Sequence, residues 1–159
     1  MFNRFAGLAG AAALILTAMA GDASAQMLDR KVLSIAEAKR IAAAAMEEAN
    51  KNNWNVVVSI IDDGGNLMYL ERKDNTQLGS IDIAVAKAKG ALLFRRSSKL
   101  LEDAAAARPA FHTLNREVAM IEGGLPLTYN NVIVGAIGVS GVASSDDGKI
   151  AAAGVAALK

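Results

Sequence analysis

The chain is 159 residues long and sets 17 lysines and arginines against 16 aspartates and glutamates, for a formal net charge of +1. So even a balance gives no electrostatic footing on nucleic acid or on an anionic membrane surface. The absence of cysteine excludes disulfides, thiol nucleophiles, iron–sulfur ligation and covalent c-type haem, and a single histidine excludes a multi-histidine zinc or iron site.

Residues 1–25 carry Arg4 near the start, an apolar run over 5–20, and Ala23-Ser24-Ala25 before Gln26. Charge, apolar core and small-residue cleavage site in that order predict a secretory signal peptide. The run is too short, and too rich in alanine and glycine, for a comfortable membrane span, so cleavage after Ala25 is expected rather than retention as an anchor. Cleavage removes one base (Arg4) and one acid (Asp22), leaving the net charge of the expected domain, residues 26–159, at +1. The expected product is periplasmic or secreted, without membrane insertion. Having no disulfides, it must rely on packing or oligomerisation.

Ser34-Ile35-Ala36-Glu37 has the form of a capping box. A helix to about residue 50 follows, with Ala38, Ile41, Ala42, Ala45, Met46 and Ala49 on one face, a flat stripe able to lie close against a sheet. Asn52-Asn53 end it. Residues 55–61 are β-branched, Asp62-Asp63-Gly64-Gly65-Asn66 is a turn, and residues 67–71 return as the second strand of a hairpin. After a polar loop over 73–79, Ser80 is expected to cap a second helix reaching Phe94. Asp82 in its first turn and Lys87 and Lys89 in its last half match the dipole. Ser97 or Ser98 opens a shorter helix closed by Arg108-Pro109. Residues 109–116 are irregular, and residues 117–121 are expected to form a short strand.

Residues 122–141 are the longest β-prone run, with Asn130-Asn131 placed to turn it into a hairpin. Residues 132–139 are almost wholly apolar, as in a strand covered on both faces. Glycine at 135 and 138 lets another backbone or a flat ligand approach closely, and packing alone is the plainer account. Ser144-Ser145-Asp146-Asp147 opens a terminal helix over 149–158. Hairpins among helices predict an α/β (α+β) domain: an antiparallel sheet of about five strands with helices packed on it.

The chemistry-bearing residues are few. Gly135, Gly138 and Gly141 lack the two-apart spacing of a dinucleotide loop, and Gly148-Lys149 lacks the earlier glycine of a phosphate loop. Asp146 and Asp147 would repel phosphate from the last helix. Asp62 and Asp63 read as turn residues, with no glutamate at calcium-loop spacing. His112 carries an imidazole that can ligate a metal, or is an ordinary surface residue. No nucleophile elbow supports a serine triad. Arg95, Arg96, Lys99, Arg108 and Arg116 cluster in sequence around His112. Arginine forks bind carboxylates at two points, although helix ends favour cations anyway. Glu122 beside Gly123-Gly124 reads as a general base with glycine amides for an oxyanion, and Arg95 as a clamp. Together they describe an enzyme or binding protein for a small organic acid. In a third reading the chain is an interaction module whose alanine-rich helices form subunit interfaces.

Ser80-Ile81-Asp82-Ile83-Ala84-Val85-Ala86-Lys87-Ala88-Lys89-Gly90-Ala91, followed by Phe94-Arg95-Arg96, resembles the signature helix of the GlcG/HbpS family. Gly123-Gly124-Leu125-Pro126, followed by Val134-Gly135-Ala136-Ile137-Gly138-Val139-Ser140-Gly141, resembles its second signature. The first hairpin, with Val58 to Leu67, matches in order and spacing. The resemblance implies a profilin-like domain with a central antiparallel sheet, helices on both faces and assembly into homo-oligomers. Exported members bind haem, and some are proposed to degrade it or to help a membrane sensor kinase. A related domain ends the PduO-type adenosyltransferases and binds haem, and other members sit in operons for small organic acids. The expectation is therefore an exported haem-binding protein: a scavenger, a buffer, or an accessory to sensing with a membrane sensor protein as partner. No clear motif for turning haem over is present. Lys87, Phe94 and Arg95 lie in the first signature, and Gly123, Gly124 and Pro126 in the second. The family's iron ligand varies between threonine and histidine, so His112 or Thr113 is expected at the metal, with Tyr129 or Met120 as substitutes. The ring is expected against Phe111, Leu125 and the glycine hairpin, bordered by Gly123 and Gly124, with Arg95 or Arg96 on a propionate.

Overall fold

Ser34 Oγ accepts the Glu37 amide at 3.2 Å and opens α1 (Ile35–Lys51). The computed structural model describes residues 29–159, so the expected signal peptide lies outside the described residues. Only half of the capping box forms, because the Glu37 carboxylate accepts from Arg40 and the Lys159 amide instead of reaching back. A hairpin follows, β1 (Val57–Asp62) and β2 (Leu67–Arg72). Asp62 makes its turn: Oδ1 accepts the Gly64 and Asn66 amides at 2.9 and 2.8 Å. Partial burial pushes this carboxyl up, but the Asn66 and Gly64 donors outweigh it and hold Asp62 below the usual range.

Helix α2 (Ser80–Leu93) starts without a side-chain cap. Ser80 does not cap as expected. It is buried inside the first turn, where its Oγ accepts from Gln77 Nε2 at 3.0 Å and meets Ser140 Oγ at 3.2 Å. Ser97 caps α3 (Ser98–Ala107), and a 3₁₀ turn (Pro109–Thr113) follows. The second hairpin is β3 (Gly124–Tyr129) and β4 (Val132–Ser140), joined through Asn130 and Asn131 at φ 48° and 63°. Positive φ at both central residues is the turn whose twist suits a two-residue hairpin. Helix α4 (Ser144–Ala157) completes the fold.

The sheet has four antiparallel strands in the order β2-β1-β4-β3. The expected fifth strand does not form. Ala119 N donates to Ala86 O at 3.1 Å, so residues 117–121 hang on α2 rather than on a strand. Pro126 lies on the edge strand β3, where its missing donor breaks no ladder.

Helices α1 and α4 cover one face, burying Ile41, Val58, Ile60, Val134, Ile137, Val139 and Ile150. Helix α2 covers the other over Ile61, Ala88, Ala91 and Ala136. The inward alanines of α1 (Ala38, Ala42, Ala45, Ala49) are fully buried within this core, so that stripe is not open to another subunit. A third cluster of Leu101, Ala105 and Met120, flanked by Phe94, Phe111 and Val118, ties α3 and the 3₁₀ turn to the end of α2.

Candidate functional site

The β4 glycines serve packing. A Cβ at Gly138 would lie 2.0 Å from the Ala84 carbonyl oxygen and 2.6 Å from the Ala88 nitrogen, so α2 occupies the space a flat ligand would need. At Gly135 a Cβ would meet Ile61 O at 2.3 Å. The expected ring slot along β4 is therefore filled by this chain's own backbone. Gly123 and Gly124 are buried as well, and a Cβ at Gly124 would lie 2.2 Å from Lys87 O. The Gly124 amide donates to Ser98 Oγ at 2.7 Å, so it is not a free oxyanion donor.

Beneath Gly123 lies a feature the sequence reading missed. Lys87 Nζ donates to Asp147 Oδ2 at 2.8 Å, with side chains only 3% and 2% exposed. Asp147 Oδ1 also accepts the Val142 amide at 3.2 Å. Burial pushes the Asp147 carboxyl up and the Lys87 ammonium opposes it. The pair joins α2 to α4 on opposite sides of the sheet. A periodicity signal existed: Lys87 lies three and four residues from Ala84 and Ala91, and Asp147 three and four before Ile150 and Ala151, all buried. Each charge thus falls on the inward face of its helix.

Glu122 is half-buried, its amide donating to Glu102 Oε2 at 2.7 Å. Its carboxylate lies against α4, where a Cβ on Gly148 would come within 2.6 Å of Oε1. Arg95 is elsewhere, in a groove that Glu122 does not line. The expected base-and-clamp pair is not assembled.

At the 3₁₀ turn, His112 and Thr113 are exposed. Thr113 Oγ1 donates to Ala110 O at 2.7 Å, while His112 has no hydrogen-bond partner among the described residues. Half-buried Phe111 carries the Arg108 guanidinium 5.6 Å above its ring centroid, and Met120 is buried in the same cluster. Arg96 Nε donates to the Phe94 carbonyl at 3.1 Å, which holds this exposed cation at the end of α2 beside the cluster. Leu125 does not join this group. It pairs with Ile137 and faces the α1/α4 core, as does Tyr129, so one ring cannot lie against both Phe111 and Leu125. Among the described residues no group of three or more histidine, aspartate or glutamate side chains could hold a metal ion.

A groove of about 400 Å³ opens where the β1–β2 turn, the end of α2 and the start of β4 meet. It is lined by Arg30, Lys31, Asp63, Gly64, Leu92, Leu93, Arg95, Val132 and Ile133.

Residues 33–156 match a family model described as haem degrading protein HbpS-like. Protein GlcG of Escherichia coli (strain K12) is 40% identical over 115 residues, covering 72% of this chain and 85% of that protein. A double mutant of Streptomyces reticuli HbpS has the same fold, with a TM-score of 0.78 at 30% identity over 84% of this chain and 91% of that one. The complex of PduOC with haem gives a TM-score of 0.75 at 28% identity over 81% and 96%. Because the family match takes in the whole sheet and the helices on both of its faces, this chain belongs to the HbpS-like family.

Proposed function

We propose that this protein is an exported haem-binding protein that scavenges or buffers haem, or presents it to a membrane sensor protein. The observation that carries the reading is likeness, over 81% of the chain, to a domain solved as a haem complex. The donor chemistry at the 3₁₀ turn fits the group. His112 offers an open imidazole, a suitable ligand for haem iron. Phe111 offers an aromatic surface beside it, and Arg96 and Arg108 offer guanidinium forks for the propionates. The Thr113 hydroxyl gives its proton to the Ala110 carbonyl and keeps its oxygen lone pairs, which makes it the second candidate at the iron. Met120 is buried and would have to be uncovered first. Bound haem would supply redox chemistry at iron; this chain's residues hold the group and neutralise its carboxylates.

Hemin titrated into the purified protein is expected to give a saturable Soret shift. His112→Ala should weaken it about tenfold or more, about 1.4 kcal/mol, and Arg96→Ala and Thr113→Ala less. A shift that never saturates, or that is unchanged in all three variants, would remove the site.

A further inference from the structure

The groove at the hairpin tips has a composition of its own. It carries three cations, Arg30, Lys31 and Arg95, against one anion, Asp63. Arg30 pairs with Asp63. Lys31 and Arg95 have no carboxylate partner among the described residues, so within these residues the groove presents two positive groups beyond the Arg30–Asp63 pair. The groove is also lined by Leu92, Leu93, Val132 and Ile133, of which Leu93 and Val132 are 54% and 49% exposed. Large aliphatic side chains left wet beside unpaired cations mark a surface that suits an amphiphilic anion.

Arg95 is held there by the way α2 ends. The Arg96 amide donates to Ala91 O and the Arg95 amide to Leu92 O, both at 3.2 Å, and Arg95 sits at φ 54°. That is the paired closure in which glycine normally takes the left-handed position. An arginine accepts a backbone penalty of about 1 kcal/mol there, and the closure directs its side chain into the groove instead of along the helix.

We propose that this groove binds a carboxylic acid bearing a hydrocarbon or aromatic body. Arg95 and Lys31 would take the carboxylate, and Leu92, Leu93, Val132 and Ile133 would take the body. A guanidinium fork matches a carboxylate at two points. Phosphate would satisfy the cations but leave the aliphatic floor wet, and a volume of about 400 Å³ is large enough for the body of a small acid as well as its carboxylate. The site is independent of the haem reading, since neither His112, Thr113 nor Phe111 lines it.

The test is a titration of the purified protein with hexanoate and with benzoate, followed by amide chemical shifts. Acetate, inorganic phosphate and hexanol serve as controls. Saturable shifts at Leu92, Leu93, Arg95, Val132 and Ile133 are expected for the two acids. Acetate should bind at least tenfold more weakly, and hexanol and phosphate not measurably. Arg95→Gln and Lys31→Gln should each weaken hexanoate about tenfold while leaving the remaining shifts native, and His112→Ala should leave hexanoate unaffected. The proposal is overturned if no acid saturates, if phosphate binds as tightly as hexanoate, or if neither groove variant changes affinity. It is equally overturned if hemin alone binds and its affinity falls in Arg95→Gln, because the groove would then be a seat for propionates only.

Discussion

A glycine earns its place in a strand either by sparing a ligand or by sparing a neighbour, and Gly138 does the second. The nearest atoms to a Cβ there are backbone atoms of α2, which cannot rotate away as a side chain would. Gly138→Ala must therefore push α2 off the sheet, and overpacking of this kind costs about 1–3 kcal/mol or more. Gly79→Ala is the matched control: nothing lies within 4 Å of its Cβ and its φ of −61° is ordinary for alanine. It should shift stability by less than about 1 kcal/mol, toward the stable side if at all. Urea unfolding of both variants checks this, and equal midpoints would mean that α2 is not packed as tightly on β4 as the distances state. The same contact explains why residues 132–139 read correctly as a doubly covered strand while the glycines within them could not be assigned. Sequence shows that a side chain is missing, but not which partner fills the gap.

At the scale of elements, α2 and α4 lie on opposite faces of the sheet and are tied by Lys87 and Asp147 beside Gly123. Replacing one partner strands the other as a buried charge, at a cost of about 3–5 kcal/mol, whereas replacing both with apolar groups is often near neutral. Asp147→Asn is therefore expected to lower the urea midpoint strongly, and Lys87→Met with Asp147→Leu to be more stable than the single variant. A double variant as unstable as the single one would show that the ionic contact itself, not the stranded charge, carries the stability. Legibility divides along the same line. Elements set by local signals were readable: the serine before α1, the two asparagines between β3 and β4, and the aspartate turn after β1 all work through neighbours within a few residues. Elements set by distant partners were not. Residues 117–121 carry an apolar pattern fit for a strand, but their hydrogen bond goes to Ala86. Ser80 looks like a cap, yet Ser140 and the helix interior claim it. The candidate site divides in the same way: Phe111 packs in the cluster that holds Phe94, whose carbonyl accepts from Arg96, while Leu125 faces the α1/α4 core and Arg95 lines a separate groove.

At the scale of the whole molecule, the question is where the folded unit begins relative to the expected cleavage point. The first buried apolar side chain among the described residues is Leu33, at 7% exposure, and Asp29 to Val32 ahead of it are exposed. Cleavage after Ala25 would keep every described residue, 29–159, in the product. It would keep Arg30 and Lys31, which line the groove. No helix among the described residues is long and apolar enough to cross a membrane. Expressed with its own leader in a bacterial host, the protein is expected in the periplasmic fraction or the medium, with a mass and N-terminal sequence that start at Gln26. Ala25→Pro should block processing, because it replaces the small residue that the cleavage pattern requires at that position. Recovery of full-length protein in the cytoplasm, or an intact mass retaining Met1 in the membrane fraction, would overturn export and with it the exported role proposed for haem binding.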